Sequence, residues 1–400
     1  MKKDLWELKT PCYIIDAEVF QRNMLCIHTA FTQCWGNRVE LGYSIKTNHL
    51  LWFLKKAKEM GCWAEAVSGD EVDLATKAGF SLERVIFNGP QKKKEDIERI
   101  LNSGGILNLD NFADVQMLLD QKEYLKYQKP KIGLRINCDL EKLCPGETTA
   151  GVDVSRFGFC IENDDFEKAI NMLHQAGISV SGFHLHYSTK TRSTRVFEAL
   201  AHTTVDLICR YSLQQEITYI DLGGGFFGGQ KSEKYPSMDM YATAICNILR
   251  VVLEPQKVTL FIEPGASVLA TAVEYMSEII NARYIRGKRI LTLDGSLLHV
   301  DPFMTLRLKE TLHLPKRTGP QEEVPEQLLC GCTCMEKDRF AKLEQKRKVH
   351  VGDRIKIAHT GAYTMAFNSC FINLPPAVYL SADDGYTELR LPSISLLEII

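Results

Sequence analysis

The stretch Val39-Glu40-Leu41-Gly42-Tyr43-Ser44-Ile45-Lys46-Thr47-Asn48 reads as a short strand that ends on a lysine. Val39, Leu41, Tyr43 and Ile45 alternate with Glu40, Gly42, Ser44 and Lys46, the period of two that sends successive side chains to opposite faces. Lys46 therefore shares a face with small residues, which leave room beside its amine for something bulky. An amine at a strand end, next to space for a ring, suits a lysine that forms a Schiff base with a ring aldehyde. Taken alone, such a lysine is more simply a solvated charge. The rest of the chain changes that reading.

Seven further β-type runs follow: Cys62–Val67, Arg84–Phe87, Ile106–Leu109, Lys131–Asn137, Ser179–His184, Ile217–Leu222 and Thr259–Ile262. Helical patterns separate them, among them Leu50/Leu51/Leu54/Ala57, Val72/Leu74/Ala75, Ile97/Ile100/Leu101 and Val115/Leu118/Leu119. Eight βα units of this size predict an α/β fold, a (β/α)8 TIM-type barrel, with an open doubly wound sheet as the weaker alternative. Polar or glycine positions sit just after the strands: Lys46, Ser68, Asn88, Asp110, Asn137, His186, Gly223–Gly225 and Glu263. Barrel enzymes gather their chemistry at the carboxyl ends of the strands, so this placement points to one shared site.

Past Glu263 the pattern turns to strands without long helices, at Val268–Ile285, Arg289–Asp294, His350–Ala358 and Ala377–Leu380. The expectation is a barrel over residues 26–267 and an all-β domain from residues 268–400, joined by residues 1–25 through the strand Pro11–Asp16. Lys309–Gln327, rich in Pro, Glu and Lys, reads as an exposed loop.

Composition narrows the class. Of the 400 residues 45% are hydrophobic and 24% charged, which is globular, and a net charge of −2 provides no basic field for nucleic acid or an acidic membrane. No apolar run reaches spanning length, and Met1–Glu7 has no signal core, so a cytoplasmic protein is expected. Thirteen cysteines without a secretory signal read as reduced thiols. Cys330-x-Cys332-x-Cys334 lacks a second Cys or His pair at finger spacing, and no metal is expected.

The motifs after the strands carry the chemistry. Asp221-Leu222-Gly223-Gly224-Gly225-Phe226-Phe227-Gly228-Gly229 allows backbone N–H groups to crowd round a phosphate without Cβ obstruction. It is neither a dinucleotide fingerprint nor a P-loop. Glu263, in Glu263-Pro264-Gly265, is placed either to bind a metal, for which Glu263, His184 and His186 lack a clear third ligand, or to face a protonated pyridine nitrogen, which makes a ring an electron sink for a carbanion. His186, in Gly182-Phe183-His184-Leu185-His186-Tyr187, stands where an imidazole stacks on that ring. Cys334, in Gly331-Cys332-Thr333-Cys334, offers a thiol able to protonate a carbanion, and Tyr363, in Gly361-Ala362-Tyr363, a hydroxyl for the phosphate. The cofactor these residues fit together is pyridoxal phosphate (PLP).

In order and spacing these motifs resemble the fold-type III PLP-dependent decarboxylases, the group of diaminopimelate, ornithine and arginine decarboxylases. The likeness runs from Thr10-Pro11-Cys12-Tyr13 through Ser44–Asn48, Val67-Ser68-Gly69-Asp70-Glu71 and Phe157-Gly158 to Gly361-Ala362-Tyr363. It implies an alanine racemase-like barrel with a C-terminal β domain, and an amino-acid α-decarboxylase that releases carbon dioxide through a quinonoid carbanion. It implies that Lys46 carries the cofactor, His186 stacks on it, Gly223, Gly224, Gly225 and Gly265 surround its phosphate, and Glu263 binds its nitrogen. Cys334 would be the proton donor in a neighbouring subunit's barrel and Tyr363 would close the cofactor site, in a head-to-tail homodimer with shared sites.

The departures concern the substrate. The family's arginine after Glu-Pro-Gly is Ala266, the acid after the cysteine is Met335, and the Arg-Pro pair of diaminopimelate decarboxylases is replaced by Asp301-Pro302. Asp301 would repel a distal carboxylate, and Glu336 would serve as the acid after a one-residue shift. Lys190 and Arg307 are the candidate replacement cations. A substrate other than diaminopimelate is therefore expected. The competing readings are a catalytically idle PLP-binding homologue with a regulatory partner and a PLP-dependent racemase. The racemase would set an arginine, not Glu263, against the pyridine nitrogen.

Overall fold

The computed structural model describes residues 2–121, 131–149, 151, 153–304, 311–314, 322–368 and 370–393. The chain forms two units, residues 23–267 and residues 1–22 with 268–400. No helix among the described residues is long and apolar enough to cross a membrane.

An N-terminal strand, β1 (Cys12–Asp16), belongs to the second unit. The first unit is the expected barrel. Its strands are β2 (Val39–Ser44), β3 (Trp63–Ala66), β4 (Val85–Phe87), β5 (Ile106–Leu109), β6 (Lys131–Asn137), β8 (Gly182–His184), β9 (Tyr219–Asp221) and β10 (Thr259–Ile262). A two-residue strand, β7 (Phe159–Cys160), pairs beside β6. All pair in parallel, and β10 returns to β2 while β5 meets β6, so the sheet closes. Helices cover the outside by burying one face each. Thr194–Arg210, for example, buries Val196, Phe197, Leu200, Ala201, Leu207 and Ile208, at helical spacing.

Strand periodicity fills the interior in two layers. The lower layer is apolar: Trp63, Ile86, Ile106, Tyr219 and Phe261 form one buried cluster. A Cβ on Gly182 would stand 2.5 Å from the Tyr219 ring, so the missing side chain is what admits that ring to the barrel axis. Towards the carboxyl ends, Ser44, Glu65, Asn108, Arg135, His184 and Asp221 are buried polar residues on the barrel strands, with Asn88 and Glu263 just past two strand ends. Burying that many polar groups is costly unless they satisfy one another. This layer is the floor of the site.

The second unit is built on a nine-stranded sheet. The order is β15-β14-β12-β11-β1-β17-β18, formed by β11 (Val273–Ile285), β12 (Lys288–Leu293), β14 (Glu323–Cys330), β15 (Arg339–Arg347), β17 (Ala377–Ala382) and β18 (Gly385–Arg390). β16 (Arg354–Ile357) pairs with β11 and with β13 (Leu312–His313). β1 lies between β11 and β17, and its Cys12 and Ile14 pack with Leu8, Met276, Ala377 and Tyr379.

Three sequence expectations need correcting. Residues 323–327 are strand rather than exposed loop. Val324, Gln327 and Leu329 are buried while Glu323 and Pro325 are exposed, a pattern that Pro325 and the charges hide. β15 was not anticipated at all, because Lys342, Lys346 and Arg347 crowd an edge strand, where charge discourages pairing with other chains. Ala266–Leu269 is a short helix continued by a 3-10 turn, so strand begins only at Val273. Small residues (Ala266, Ala270, Ala272) favour that turn over a strand.

Candidate active site

Lys46 stands on a 3-10 turn, Ile45–Thr47, two residues beyond the end of β2 rather than on the strand itself. Tyr43 locks that turn, because its buried hydroxyl donates to the Asn48 carbonyl at 2.6 Å. Asn48 Oδ1 in turn accepts the Leu50 amide at 3.1 Å, leading into the helix Leu51–Glu59. The space beside Gly42 and Ser44 is taken by carboxylates: a Cβ on Gly42 would stand 3.5 Å from Glu65 Cβ and 3.6 Å from Glu263 Cγ.

Glu65 is the immediate partner of Lys46. Its Oε2 lies 2.5 Å from Lys46 Nζ and accepts Ser44 Oγ at 2.7 Å. A relay of amides then crosses the barrel. Tyr219 donates to Asn108 Oδ1 at 2.7 Å, and Asn108 Nδ2 to Asn88 Oδ1 at 2.8 Å. Asn88 Nδ2 donates to Glu263 Oε1 at 2.6 Å and to Glu65 Oε1 at 3.2 Å. Every amide in it has a donor or acceptor partner, which orients both carboxylates rigidly.

Glu263 sits in a buried cluster. His184 Nε2 is 3.6 Å from its Oε2, and ligand atoms of His184, Asp221 and Glu263 lie within 4.8 Å of one another. Burial opposes the charge on Glu263, but the His184 imidazole and the Lys46 ammonium outweigh it and hold the carboxyl below its usual range. Asp221 goes the other way: burial first, then the Glu263 charge, push it well above the carboxylate range. Asp221 Oδ1 accepts only the Gly223 amide, at 2.9 Å, and Oδ2 has no hydrogen-bond partner. Two adjacent carboxyls are thus driven apart, one ionised and one neutral. Sequence alone shows no third ligand beside Glu263 and the two histidines. The fold supplies one in Asp221, although a carboxyl that retains its proton is a poor cation ligand.

His186 follows β8, its ring stacked on that of His184 with centroids 6.4 Å apart and planes 12° apart. Its Nδ1 accepts the Gly224 amide at 3.0 Å, which requires an unprotonated nitrogen there. Burial, and then the Lys46 and Arg135 charges, push the imidazole down to about 3, so the ring is neutral. Gly223 has φ +60°, and a Cβ on it would stand 2.6 Å from that of His186. A Cβ on Gly224 would meet the Glu263 carbonyl, and one on Gly265 would lie 2.5 Å from Thr47 Oγ1. Gly225 completes the run at φ +97°. Lys46, His186, Glu263, the three glycines and Gly265 are therefore brought together at one end of the barrel.

Four predicted residues lie in the β-rich unit. Cys334 is exposed on the loop between β14 and β15. Asp338 builds that loop, with carboxylate oxygens accepting Leu297 N at 2.7 Å, Thr333 N at 3.0 Å and Thr333 Oγ1 at 2.6 Å. Glu336 is exposed and pairs with Arg339 at 3.1 Å. Asp301 is only 2% exposed, after the 3-10 turn Leu297–His299. Tyr363 is exposed at φ +65° and tilts against Phe367. Arg307 lies outside the described residues.

Glu65, Asn108, Arg135 and Asp221 were missed in the sequence. Each is a lone polar residue inside an otherwise apolar buried strand (Ala64-Glu65-Ala66, Leu107-Asn108-Leu109, Leu134-Arg135-Ile136), and that signal was available.

Glu71 provides a pH test. Its Oε2 accepts the Val67 amide at 2.8 Å, while burial and then the Glu65 charge push its carboxyl up to about 7. A folded value raised above the ordinary 4.5 means the folded state retains the proton longer. Its contribution to stability is complete below 4.5 and lost as pH rises through about 7. We expect Glu71→Gln, in the cofactor-free protein, to gain up to about 3 kcal/mol relative to wild type across that window, before allowance for solvent screening. Thermal midpoints of both proteins measured against pH decide this; a constant difference would refute the assignment.

Comparisons with known proteins identify the family. Residues 20–270 match the family model described as pyridoxal-dependent decarboxylase, pyridoxal binding domain. A probable chloroplastic diaminopimelate decarboxylase of Oryza sativa subsp. japonica is 26% identical over 94% of this chain and 76% of its own length. The diaminopimelate decarboxylase of Helicobacter pylori strain J99 is 24% identical over 94% of this chain and 91% of its own. Among solved structures, a diaminopimelate decarboxylase from M. jannaschii superposes with a TM-score of 0.84 at 22% identity, over 98% of this chain and 92% of that one. The Paramecium bursaria Chlorella virus arginine decarboxylase superposes at 0.77 and 20% identity, over 94% and 96%. The match over residues 20–270, on a chain that folds as this barrel, shows that it belongs to the pyridoxal-dependent decarboxylases, carboxy-lyases that use pyridoxal phosphate.

Proposed function

We propose that the chain is an amino-acid α-decarboxylase of the diaminopimelate decarboxylase-like kind acting on a substrate other than diaminopimelate. The observation that carries the reading is the buried polar layer that aims Lys46, Glu263 and His186 at one space. When bound, pyridoxal phosphate supplies an electron sink for the charge left on carbon as carbon dioxide departs. Lys46, oriented by Glu65, would hold the cofactor aldehyde. The neutral His186 would lie against the cofactor ring, and ionised Glu263 would hold the ring nitrogen. Gly223, Gly224, Gly225 and Gly265 would leave backbone and space for the phosphate. Cys334 would supply a proton to the carbon, and Tyr363 would close the site.

A head-to-tail homodimer is part of the proposal. Phe303 (59% exposed) packs edge-on to Phe367 (51% exposed) at 4.9 Å, with Tyr363 beside them. Clustered exposed aromatics of this kind suit burial against a second copy. The thirteen cysteines, all free, support a reducing compartment such as the cytoplasm.

The substrate argument rests on lost charges. Ala266 opens a short helix and presents only a methyl group, and Met335 is apolar. Each lost charged contact costs about 2–5 kcal/mol of recognition, roughly 30-fold or more. Carbon dioxide release should be measured from meso-diaminopimelate, L- and D-ornithine, L- and D-lysine, arginine and carboxyalkyl-diamines. Release from a member other than diaminopimelate is expected. Rapid release from diaminopimelate would overturn the substrate assignment, and silence across the panel with cofactor bound would favour the idle homologue.

A further inference from the structure

A phosphate dianion in the glycine cradle is held more tightly with a positive charge beside it, and Ala266 offers none. The cations of the barrel's polar layer are already engaged, Lys46 with Glu65 at 2.5 Å and Arg135 with Asp110 at 3.1 Å. Arg192 is placed differently. It lies between β8 and the helix Thr194–Arg210, is half-buried, and its guanidinium makes no ion pair among the described residues.

Its backbone is held from two sides. Arg192 N donates to Thr189 Oγ1 at 3.3 Å, and the Arg192 carbonyl accepts the Tyr241 hydroxyl. The same Tyr241 oxygen accepts the amide of Phe227, inside the glycine run, at 3.3 Å. One hydroxyl therefore ties the backbone of Arg192 to the backbone of the cradle. The Tyr241 ring is fixed edge-on against Phe226 and Phe197, each with centroids 5.2 Å away, and those two rings stack at 4.2 Å.

Arg192 also has φ +53°, a conformation that a non-glycine residue keeps where its surroundings impose it, often at ligand clamps. Burial raises the Tyr241 hydroxyl, while the Phe227 amide and the Arg192 charge draw it back. Glu147, the acid of this segment, is occupied by Thr191 Oγ1 at 2.6 Å, by Ser193 Oγ, and by Arg195 at 3.6 Å. The first turn of the following helix contains no acid, so its N-terminal dipole reinforces the positive field.

We propose that Arg192 supplies the cationic contact to the cofactor phosphate in place of a cation at position 266, an inference that rests on the pyridoxal phosphate reading above. Cofactor-free protein would be titrated with pyridoxal phosphate and, separately, with pyridoxal, following the visible Schiff-base absorption. Arg192→Ala is expected to weaken pyridoxal phosphate by roughly 10- to 100-fold while leaving pyridoxal within about twofold, and Arg192→Lys to recover part of the loss. Unchanged affinity for pyridoxal phosphate, or equal losses for both ligands, would overturn the role. Wild-type protein that develops no absorption with either ligand would instead overturn the cofactor reading, and this proposal with it.

Discussion

Lys46→Ala is expected to lower the rate of carbon dioxide release by roughly 10⁴-fold or more, about 5.5 kcal/mol, and to abolish the visible Schiff-base absorption of the protein loaded with pyridoxal phosphate. The size follows from the proposed role. No other amine is held on the turn after β2, and the Glu65 carboxylate 2.5 Å away is then left buried without its cation. Partial retention of the absorption would place the aldehyde on another lysine. Because Cys334 is proposed to act in a neighbouring subunit, the variant also tests the dimer. Mixing Lys46→Ala with Cys334→Ala, each inactive, would restore roughly a quarter of wild-type activity through heterodimers that hold one intact site. No recovery on mixing subunits that exchange would show that each chain builds its own site.

Glu263→Gln is the second large effect and separates electron withdrawal from cofactor attachment. Glutamine keeps the size of the side chain and can still accept from Asn88 Nδ2, now 2.6 Å away, but carries no charge. Turnover is expected to fall by roughly 10²- to 10³-fold, about 3–4 kcal/mol, while the Schiff-base absorption persists because Lys46 is intact. Asp221 should then lose part of the reason for its raised value, since the Glu263 charge is second only to burial among its causes. Near-wild-type turnover, or a loss of cofactor equal to the loss of rate, would remove Glu263 from the ring nitrogen.

The sequence is most legible where one physical rule acts alone. The eight parallel strands of the barrel are largely apolar, several broken by a single buried polar residue, with glycine or polar residues at their ends, and each was visible without a structure. The helices between them follow one-face burial, as in Ile97, Ile100 and Leu101 of the helix Lys94–Ser103. The β-rich unit was harder, since β14 and β15 carry Pro325, Gln327, Lys342 and Lys346. There the alternation is diluted by charges that serve an exposed edge.

By itself the sequence determined the local chemistry: which residue types close the strands, that a lysine follows the first of them, and that glycines lie where a phosphate could approach. Those properties belong to a few neighbouring residues. What only the tertiary structure decided is which polar side chains meet. Glu65 and Lys46 are nineteen positions apart and Asn88 and Glu263 are 175 apart, yet they share one hydrogen-bonded layer. Barrel closure sets those distances, because β10 pairs with β2 across more than two hundred residues. The neutral His186, the ionised Glu263 and the neutral Asp221 likewise arise from burial and from neighbours brought by the fold, which no stretch of sequence contains on its own.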